Sequence, residues 1–153
     1  MKLSPHFELS ELVSDKDTAK PDAAALANLE ALCKTALEPL RAALGRPLTV
    51  TSGYRSPAYN ASIGGAPGSQ HTQGIAADIA IGSDDACIKA AALASKIAAV
   101  GGIGVYPGRG FIHVDIRPRV SKRTVTWWAQ INGKYQPLPA SLRAAIKAQG
   151  GQC

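Results

Sequence analysis

The strongest constraint on the fold is a long segment, residues 52–74, that is rich in Gly, Ser and Pro and is irregular apart from one helical turn expected near residues 58–63. It lies between two short apolar segments, 48–51 and 76–81, that are typical of strands. An irregular segment of this length is uncommon inside a compact domain unless it contributes to function. We therefore expect residues 52–74 to carry part of a functional site.

The remaining sequence predicts an α+β domain. Leu and Ala spacing and capping residues predict helices over 22–44, 83–100 and 138–149. Strands are predicted over 48–51, 76–81, 104–106, 111–116 and 125–131. Pro39 is expected to kink or divide the first helix. Because the strands are largely sequential, we expect a central antiparallel sheet flanked by helices.

Length and charge exclude several classes of protein. The chain has 153 residues, which fits one compact domain spanning 1–153. No apolar run approaches the roughly 18 residues of a membrane span, so we expect no stable membrane insertion. The formal net charge of +6 favours an anionic partner such as nucleic acid, a membrane surface or a wall polymer. The lack of a helix-turn-helix or RNP-like motif weighs against nucleic acid.

Ionisable residues stand inside two apolar segments. Asp78 lies in the predicted strand 76–81, where an ionised carboxylate is costly unless it is paired or bound to a cation. His113 and Asp115 share one face of the predicted strand 111–116, and His71 precedes Asp78 in the irregular segment. Two histidines and one carboxylate suffice for a catalytic zinc. Hydrogen-bonded histidines, with both aspartates paired to arginines, explain the same spacing equally well.

Two longer motifs contain these residues. Residues 52–81 carry S-G-Y-R-S, an Asn, a Gly pair and then S-x-H-x-x-G-x-A-x-D, and residues 102–116 end in H-x-D. Together they resemble the zinc D-alanyl-D-alanine carboxypeptidases and L-alanyl-D-glutamate endolysin-type peptidases, whose superfamily also contains hedgehog domains. The resemblance covers about residues 7–118 and implies a hedgehog/DD-peptidase-like fold. The tail, residues 119–153, matches less clearly.

The resemblance implies a zinc metallopeptidase that hydrolyses the stem peptides of bacterial peptidoglycan, at either the D-Ala-D-Ala or the L-Ala-D-Glu bond. It implies one Zn²⁺ per chain, with His71, Asp78 and His113 as the ligands. It also implies that Arg55 binds substrate and stabilises the oxyanion, which suits a permanently charged guanidinium. The alternative for Arg55 is a structural ion pair with Asp78 or Asp115.

The general base is the point at which this chain departs from its relatives. Many of them carry an acidic residue three positions before the last His, where this chain has Gly110. We therefore assign Asp115 as the general base. The alternative is that Asp115 orients His113 or His71 by accepting a hydrogen bond.

Four further residues are candidates for contact with the stem peptide. They are Ser69, Gln70, Tyr106 and Trp128. The alternatives are loop capping for the polar pair and core packing for the aromatic pair. The basic run that follows the H-x-D motif is interpreted as a solvated edge of the domain, comprising Arg117, Arg119, Lys122 and Arg123.

A second hypothesis is a catalytically inactive, zinc-stabilised module that binds peptidoglycan. The N-terminus lacks an apolar h-region, so we expect no Sec signal peptide. Two routes to the cell wall are compatible with the lack of a Sec signal peptide. One is cytoplasmic synthesis with release to the cell wall through a holin or another path, as in a phage or prophage lysis protein. The other is a periplasmic protein trimmed of its leader. We expect a monomer.

Overall fold

The computed structural model describes residues 1–121 and 124–153 and contains two sheets. A small N-terminal hairpin consists of β1, Lys2–Ser4, and β2, Phe7–Glu8. The central sheet consists of β3 (Thr49–Ser52), β4 (Ala76–Ala80), β5 (Gly102–Val105), β6 (Phe111–Asp115), β7 (Thr126–Ile131) and β8 (Lys134–Gln136). Its strand order is β3-β4-β6-β5-β7-β8. The architecture is the α+β arrangement that the sequence predicts.

The described residues form six α-helices: α1 (Leu9–Leu12), α2 (Ala23–Leu32), α3 (Glu38–Leu44), α4 (Pro57–Ser62), α5 (Asp84–Ser95) and α6 (Ala140–Ala148). Helix α5 packs against β5 and β6 of the sheet. Ile112 and Val114 of β6 are fully buried in the core that includes residues of α2, α3 and α5. Because side chains alternate along a strand, His113 and Asp115 project from the opposite face. That face carries the candidate site.

One strand pair differs from the predicted antiparallel sheet. The pairs β3–β4, β4–β6, β5–β6 and β7–β8 are antiparallel, but β5 and β7 are parallel. After β6 the chain passes over β5 and adds β7 to the free edge of β5. Strand periodicity carries no information on which edge a strand joins, so the sequence could not predict this crossing.

The first long helix is divided into two α-helical segments just before Pro39, where the sequence predicts a kink or division. A π-helical turn, Cys33–Leu37, connects α2 to α3, and the Glu38 N–H donates to the Cys33 carbonyl. Pro39 is the second residue of α3, so the departure from α-helical geometry directly precedes the residue that lacks an N–H donor. The helix ends at Gly45, whose φ of 69° is the left-handed conformation that glycine tolerates.

The C-terminal residues pack with the rest of the fold. Strands β7 and β8 extend the central sheet, and α6 contacts α5. The Trp127 indole N–H donates to the Gln152 carbonyl at 2.9 Å and fixes the end of the chain. No helix in the described ranges, 1–121 and 124–153, combines the length and apolarity needed to cross a bilayer.

Glu38 attaches the N-terminal hairpin to α3. Its carboxylate accepts hydrogen bonds from the Ser4 hydroxyl at 2.7 Å and from the His6 N–H at 2.8 Å. Burial alone would raise the pKa of Glu38, but these hydrogen bonds outweigh it and lower the pKa below its ordinary value. A group whose folded pKa is depressed stabilises the fold above its unfolded pKa, and this stabilisation disappears as the pH falls through the folded pKa.

We therefore expect Glu38→Gln to lower the free energy of unfolding by about 1 kcal/mol at pH 7. The difference from the wild type should shrink as the pH falls through the lowered pKa of Glu38, because the wild-type carboxylate is then protonated as well. Urea unfolding at pH 7 and at the lowest pH at which both proteins remain folded measures the effect. An equal difference at both pH values would show that Glu38 contributes through packing and not through its charge.

Candidate metal site

The candidate site is a row of residues that crosses five neighbouring strands. Register pairs Ser52 of β3 with Asp78 of β4, and Asp78 with His113 of β6. His113 in turn pairs with Gly104 of β5, and Gly104 with Trp128 of β7. Residues paired across adjacent strands project from the same face of a sheet. Sheet register thus holds the two predicted ligands, Asp78 and His113, side by side.

Three potential ligand atoms converge at this row. His71, Asp78 and His113 each offer one, and these atoms all lie within 4.8 Å of one another. Asp78 Oδ1 is 3.4 Å from His71 Nε2 and 3.2 Å from His113 Nδ1. Two atoms bound tetrahedrally to one zinc at about 2.0–2.1 Å lie about 3.3–3.4 Å apart. The donor types and their spacing therefore fit zinc, and the three residues form a possible metal site.

The other ring nitrogen of each histidine has a partner of its own. His71 Nδ1 lies 2.7 Å from the Gly53 carbonyl, which can only accept, so this nitrogen carries the proton. His113 Nε2 lies 2.7 Å from Asp115 Oδ2. Neutral rings with protons at these two positions direct lone pairs of His71 Nε2 and His113 Nδ1 towards Asp78, whereas fully protonated rings donate hydrogen bonds to it. A bound cation satisfies three converging electron-pair donors of this kind.

A single turn of 3₁₀-helix places His71. The turn spans Gln70–Gln73, and the Ser69 hydroxyl caps it by accepting from the His71 N–H at 3.3 Å. Gly74 ends the turn with φ of 77°, and a Cβ at this position would lie 2.7 Å from the Ala25 carbonyl of α2. Only glycine allows both this conformation and this approach to the helix.

The site is strongly polar although it is buried. Desolvation would raise the pKa of Asp78, but hydrogen bonds from His113 and His71 outweigh it and hold the pKa well below its ordinary value. Burial opposes protonation of His113, whereas its bonds to Asp115 and Asp78 favour it, and the pKa is raised. The ionised Asp78 therefore attracts a positive charge into this part of the sheet.

Asp115 is enclosed and has no unoccupied oxygen. It is fully buried, and Arg117 donates to it from Nε at 2.8 Å and from Nη2 at 2.6 Å. Burial raises the pKa of Asp115, but hydrogen bonds from His113 and Arg117 outweigh this effect and lower it to about 2. This geometry argues against Asp115 as the general base, because both oxygens are engaged and neither reaches the cavity described below. It favours the alternative, in which Asp115 orients His113.

Arg55 lies next to Asp78 and is fixed by two neutral partners. Its Nε donates to the Ser52 hydroxyl at 2.9 Å and its Nη1 donates to Asn60 Oδ1 at 3.1 Å. Its Nη2 is 3.5 Å from Asp78 Oδ2, a long contact for an ion pair. The buried Asn60 is in turn fixed by donating to the Ala66 carbonyl at 2.9 Å. The guanidinium is therefore held beside the ligand atoms and is only weakly paired.

A cavity of about 690 Å³ opens over these residues. Arg55 and the three potential ligands line it. So do all four predicted substrate contacts, which are Ser69, Gln70, Tyr106 and Trp128. One wall is aromatic. Tyr106 stacks on Phe111 with ring centroids 4.2 Å apart, and its hydroxyl accepts from the Trp128 indole at 3.3 Å. That any of these residues contacts a substrate stays a prediction.

Two glycines of β5 make room for the larger groups beside them. A Cβ at Gly104 would lie 2.5 Å from Trp128 Nε1, so the indole can cover this strand only because a side chain is missing. A Cβ at Gly102 would lie 2.5 Å from Asp115 Oδ2 and 2.6 Å from Arg117 Nε. The G-x-G pattern of β5 therefore permits both the aromatic wall and the buried carboxylate–guanidinium pair.

The interpretation of the basic run as a solvated edge is wrong for its first two members. Arg117 pairs with the buried Asp115 and its Cζ lies 5.0 Å from the Trp128 ring centroid. Arg119 donates to the carbonyls of Val100 and Ile97 at 2.9 and 3.0 Å. Charge periodicity could not reveal these partners, which are distant in sequence or require sheet register. Lys122 and Arg123 lie outside the described residues.

Sequence reasoning also missed several residues of the site. The motif contains Asn60, but no role was predicted for it. Arg109, Phe111 and Tyr135 were not predicted as site residues, although all three line the cavity. For Arg109 and Phe111, the sequence indicates a place in the site only through their distance from His113. Phe111 lies two residues before His113 and therefore shares its face. Arg109 lies in the turn that joins β5 to β6.

Comparisons with known proteins agree with this site. The sequence model of a family described as Peptidase M15 matches residues 5–115, a range that includes all three potential ligands. The zinc D-Ala-D-Ala carboxypeptidase of Streptomyces albus G is 36% identical over 88 residues, which are 57% of this chain and 34% of that protein. The chain thus spans about a third of the length of this relative. Together, the family match and the arrangement of His71, Asp78 and His113 establish that the chain belongs to the peptidase M15 family.

Proposed function

We propose that this protein is a zinc-dependent metallopeptidase that hydrolyses peptide bonds in the stem peptides of bacterial peptidoglycan. The observation that carries the proposal is the convergence of His71 Nε2, Asp78 Oδ1 and His113 Nδ1 at the cavity, with the remaining nitrogen of each histidine held by a separate partner. The relative from Streptomyces albus G is named for cleavage of D-Ala-D-Ala. The bond cleaved here is D-Ala-D-Ala or L-Ala-D-Glu.

Each part of the site has a chemical task in this proposal. His71, Asp78 and His113 would hold zinc, which would polarise the scissile carbonyl and lower the pKa of a bound water to about 7. Arg55 donates to the oxyanion that develops on the carbonyl oxygen, since Ser52 and Asn60 hold its guanidinium in place before the substrate binds. The aromatic wall excludes water from one side of the peptide.

Asp115 acts in this proposal as a positioning residue for His113. We expect Asp115→Asn to lower zinc affinity by about 10- to 100-fold, as loss of a partner behind a metal-ligating histidine does. Saturating zinc should then restore kcat. A general base behaves differently, because its loss lowers kcat by about 10²- to 10⁴-fold at every zinc concentration. Zinc titrations of activity measure both quantities.

Asp85→Asn is the matched control for this substitution. Asp85 is an exposed carboxylate in the first turn of α5, remote from the ligands in the fold. It should leave zinc affinity and kcat unchanged. A kcat that stays low for Asp115→Asn at saturating zinc would return Asp115 to the role of general base.

Mass spectrometry of muropeptide digests tests the activity. Zinc-loaded protein and a chelated control are incubated with purified muropeptides. Zinc-dependent loss of one Ala identifies a carboxypeptidase, and separation of L-Ala from D-Glu identifies an endopeptidase. No product in either sample, with zinc shown to be bound, would refute hydrolysis of these substrates.

One observation supports the second candidate, a zinc-stabilised module that binds peptidoglycan without turnover. Within residues 1–121 and 124–153, Asp78 is the only carboxylate that lines the cavity, and it is already a proposed ligand. Among these residues, the cavity lining therefore offers no second carboxylate as a conventional general base. Zinc-dependent binding of muropeptides without hydrolysis would favour this candidate.

The setting in which the protein acts is part of the proposal. We propose a monomer that reaches the cell wall either as a phage or prophage lysis protein or as a protein of the bacterium itself. The formal net charge of +6 suits an anionic wall surface. Lysis of a host on co-expression with a holin, but not without one, would support the first origin.

A further inference from the structure

Three of the described arginines line the cavity, and they differ in their partners. Arg55 Nη2 lies 3.5 Å from Asp78, and Arg117 Nη2 lies 2.6 Å from Asp115. No carboxylate of residues 1–121 and 124–153 lies within 4.0 Å of the Arg109 guanidinium. Arg109 is therefore the cavity arginine whose charge the described part of the chain does not pair.

Arg109 is exposed but held in place. Its Nη1 donates to Gln130 Oε1 of β7 at 2.7 Å, and its Cζ lies 5.3 Å from the Phe111 ring centroid. The turn that carries it is also fixed, since the Arg109 N–H donates to the Tyr106 carbonyl at 3.0 Å and the Gly108 N–H to Asp84 at 2.8 Å. The guanidinium thus loses little conformational freedom when it binds a partner.

The position of Arg109 relative to the ligands follows from strand geometry. Phe111 and His113 are two residues apart on β6, so their side chains lie on the same face about 7 Å apart. Because the guanidinium of Arg109 covers the Phe111 ring, it lies on the face of the sheet that holds the ligand atoms. A group bound there is close to a peptide bond held over His113.

We propose that Arg109 is a specificity-determining residue that binds a carboxylate of the stem peptide close to the scissile bond. The proposal rests on the proposed function. Gln130 engages Nη1, and within the described residues no acceptor engages the edge formed by Nε and Nη2. That edge matches the two oxygens of a carboxylate and can bind them bidentately. A neutral amide at the same place would leave the guanidinium unpaired.

Stem peptides offer two such carboxylates, the C-terminal carboxylate and the α-carboxylate of D-glutamate. Three peptides separate them: the stem pentapeptide, its C-terminal amide, and its form amidated at the D-glutamate α-carboxyl. We would measure kcat/KM of the zinc-loaded protein on each by mass spectrometry of products. One of the two amidations should lower kcat/KM of the wild type by about 10- to 100-fold, and it identifies the carboxylate bound.

The substitution Arg109→Gln should lower kcat/KM on the unmodified pentapeptide by the same factor. In this variant, that amidation should no longer lower kcat/KM, because the two groups act as a coupled pair. Arg109→Lys, which keeps the charge without the planar fork, should retain part of the discrimination. Arg41→Gln, on α3, is the matched control and should behave as the wild type. Equal losses on all three peptides in Arg109→Gln, or no effect of either amidation on the wild type, would overturn the proposal.

Failure of the proposed function is recognisable in the same experiment. In that case the wild type hydrolyses none of the three peptides while zinc is bound. Calorimetric titration of the peptides into the zinc-loaded proteins then measures Kd in place of kcat/KM. The same coupling between Arg109 and one amidation is expected, and its absence overturns the role of Arg109.

Discussion

We expect the replacement of any one of the three proposed ligands to abolish both zinc binding and the proposed peptidase activity. His71→Ala, Asp78→Asn and His113→Ala each remove one of three donor atoms that lie within 4.8 Å of one another. The loss of zinc affinity should exceed the roughly 10- to 100-fold that follows loss of a partner outside the ligand set. Activity should fall to that of the chelated wild type. Metal analysis after dialysis and the muropeptide digest measure the two effects.

His6→Ala is the matched control for these variants. His6 is the remaining histidine of the chain, and it contacts Glu38 at 2.8 Å on the far N-terminal hairpin. Thermal unfolding supplies a readout that is independent of activity. Zinc at 100 times its Kd stabilises a folded protein by about 2.7 kcal/mol, so a chelator should lower the Tm of the wild type and of His6→Ala. A ligand variant that still gains stability from zinc would contradict the assignment of that residue.

Arg55→Ala should lower kcat by about 10²- to 10³-fold and leave zinc stoichiometry unchanged. The reason is that its contact with Asp78 is long, 3.5 Å, whereas Ser52 and Asn60 hold the guanidinium beside the ligand atoms. KM should change much less than kcat, because the charge on the carbonyl oxygen develops only in the transition state. Steady-state kinetics at saturating zinc measures both constants.

Arg55→Lys and Arg41→Ala complete this test. Lysine keeps the charge but cannot reproduce the hydrogen bonds from Nε and Nη1, so only part of the loss should be recovered. Arg41 lies on α3, away from the cavity, and its replacement should have no effect. If Arg55→Ala loses zinc in proportion to activity, Arg55 serves mainly as the structural partner of Asp78.

Much of the site was accessible from the sequence. The motifs around residues 52–81 and 102–116 resemble a known peptidase family, and the match to Peptidase M15 confirms this resemblance. The predicted ligands His71, Asp78 and His113 also lie together in the structure. Local rules succeeded in the helices and strands as well, because apolar periodicity and capping residues act within a few positions of each other.

The role now proposed for Asp115 was not accessible in the same way. Spacing puts it on the face of His113, and this is compatible with a general base or with a residue that orients the histidine. The distinction depends on Arg117, which occupies both oxygens, and on Gly102, which provides the space for this pair. Hydrophobic periodicity predicts neither contact. The Arg117 side chain must fold back onto Asp115, and Gly102 lies on the neighbouring strand β5.

Local sequence therefore set the elements, the ligand types and the glycines that the turns require, because each of these depends on residues close together in the chain. The parallel pairing of β5 with β7, the Asp115–Arg117 pair and the placement of Arg109 in the cavity, away from every carboxylate of the described residues, emerged only on folding. They depend on which strands become neighbours across the sheet. That choice minimises exposed apolar area over the whole domain, so no local segment encodes it.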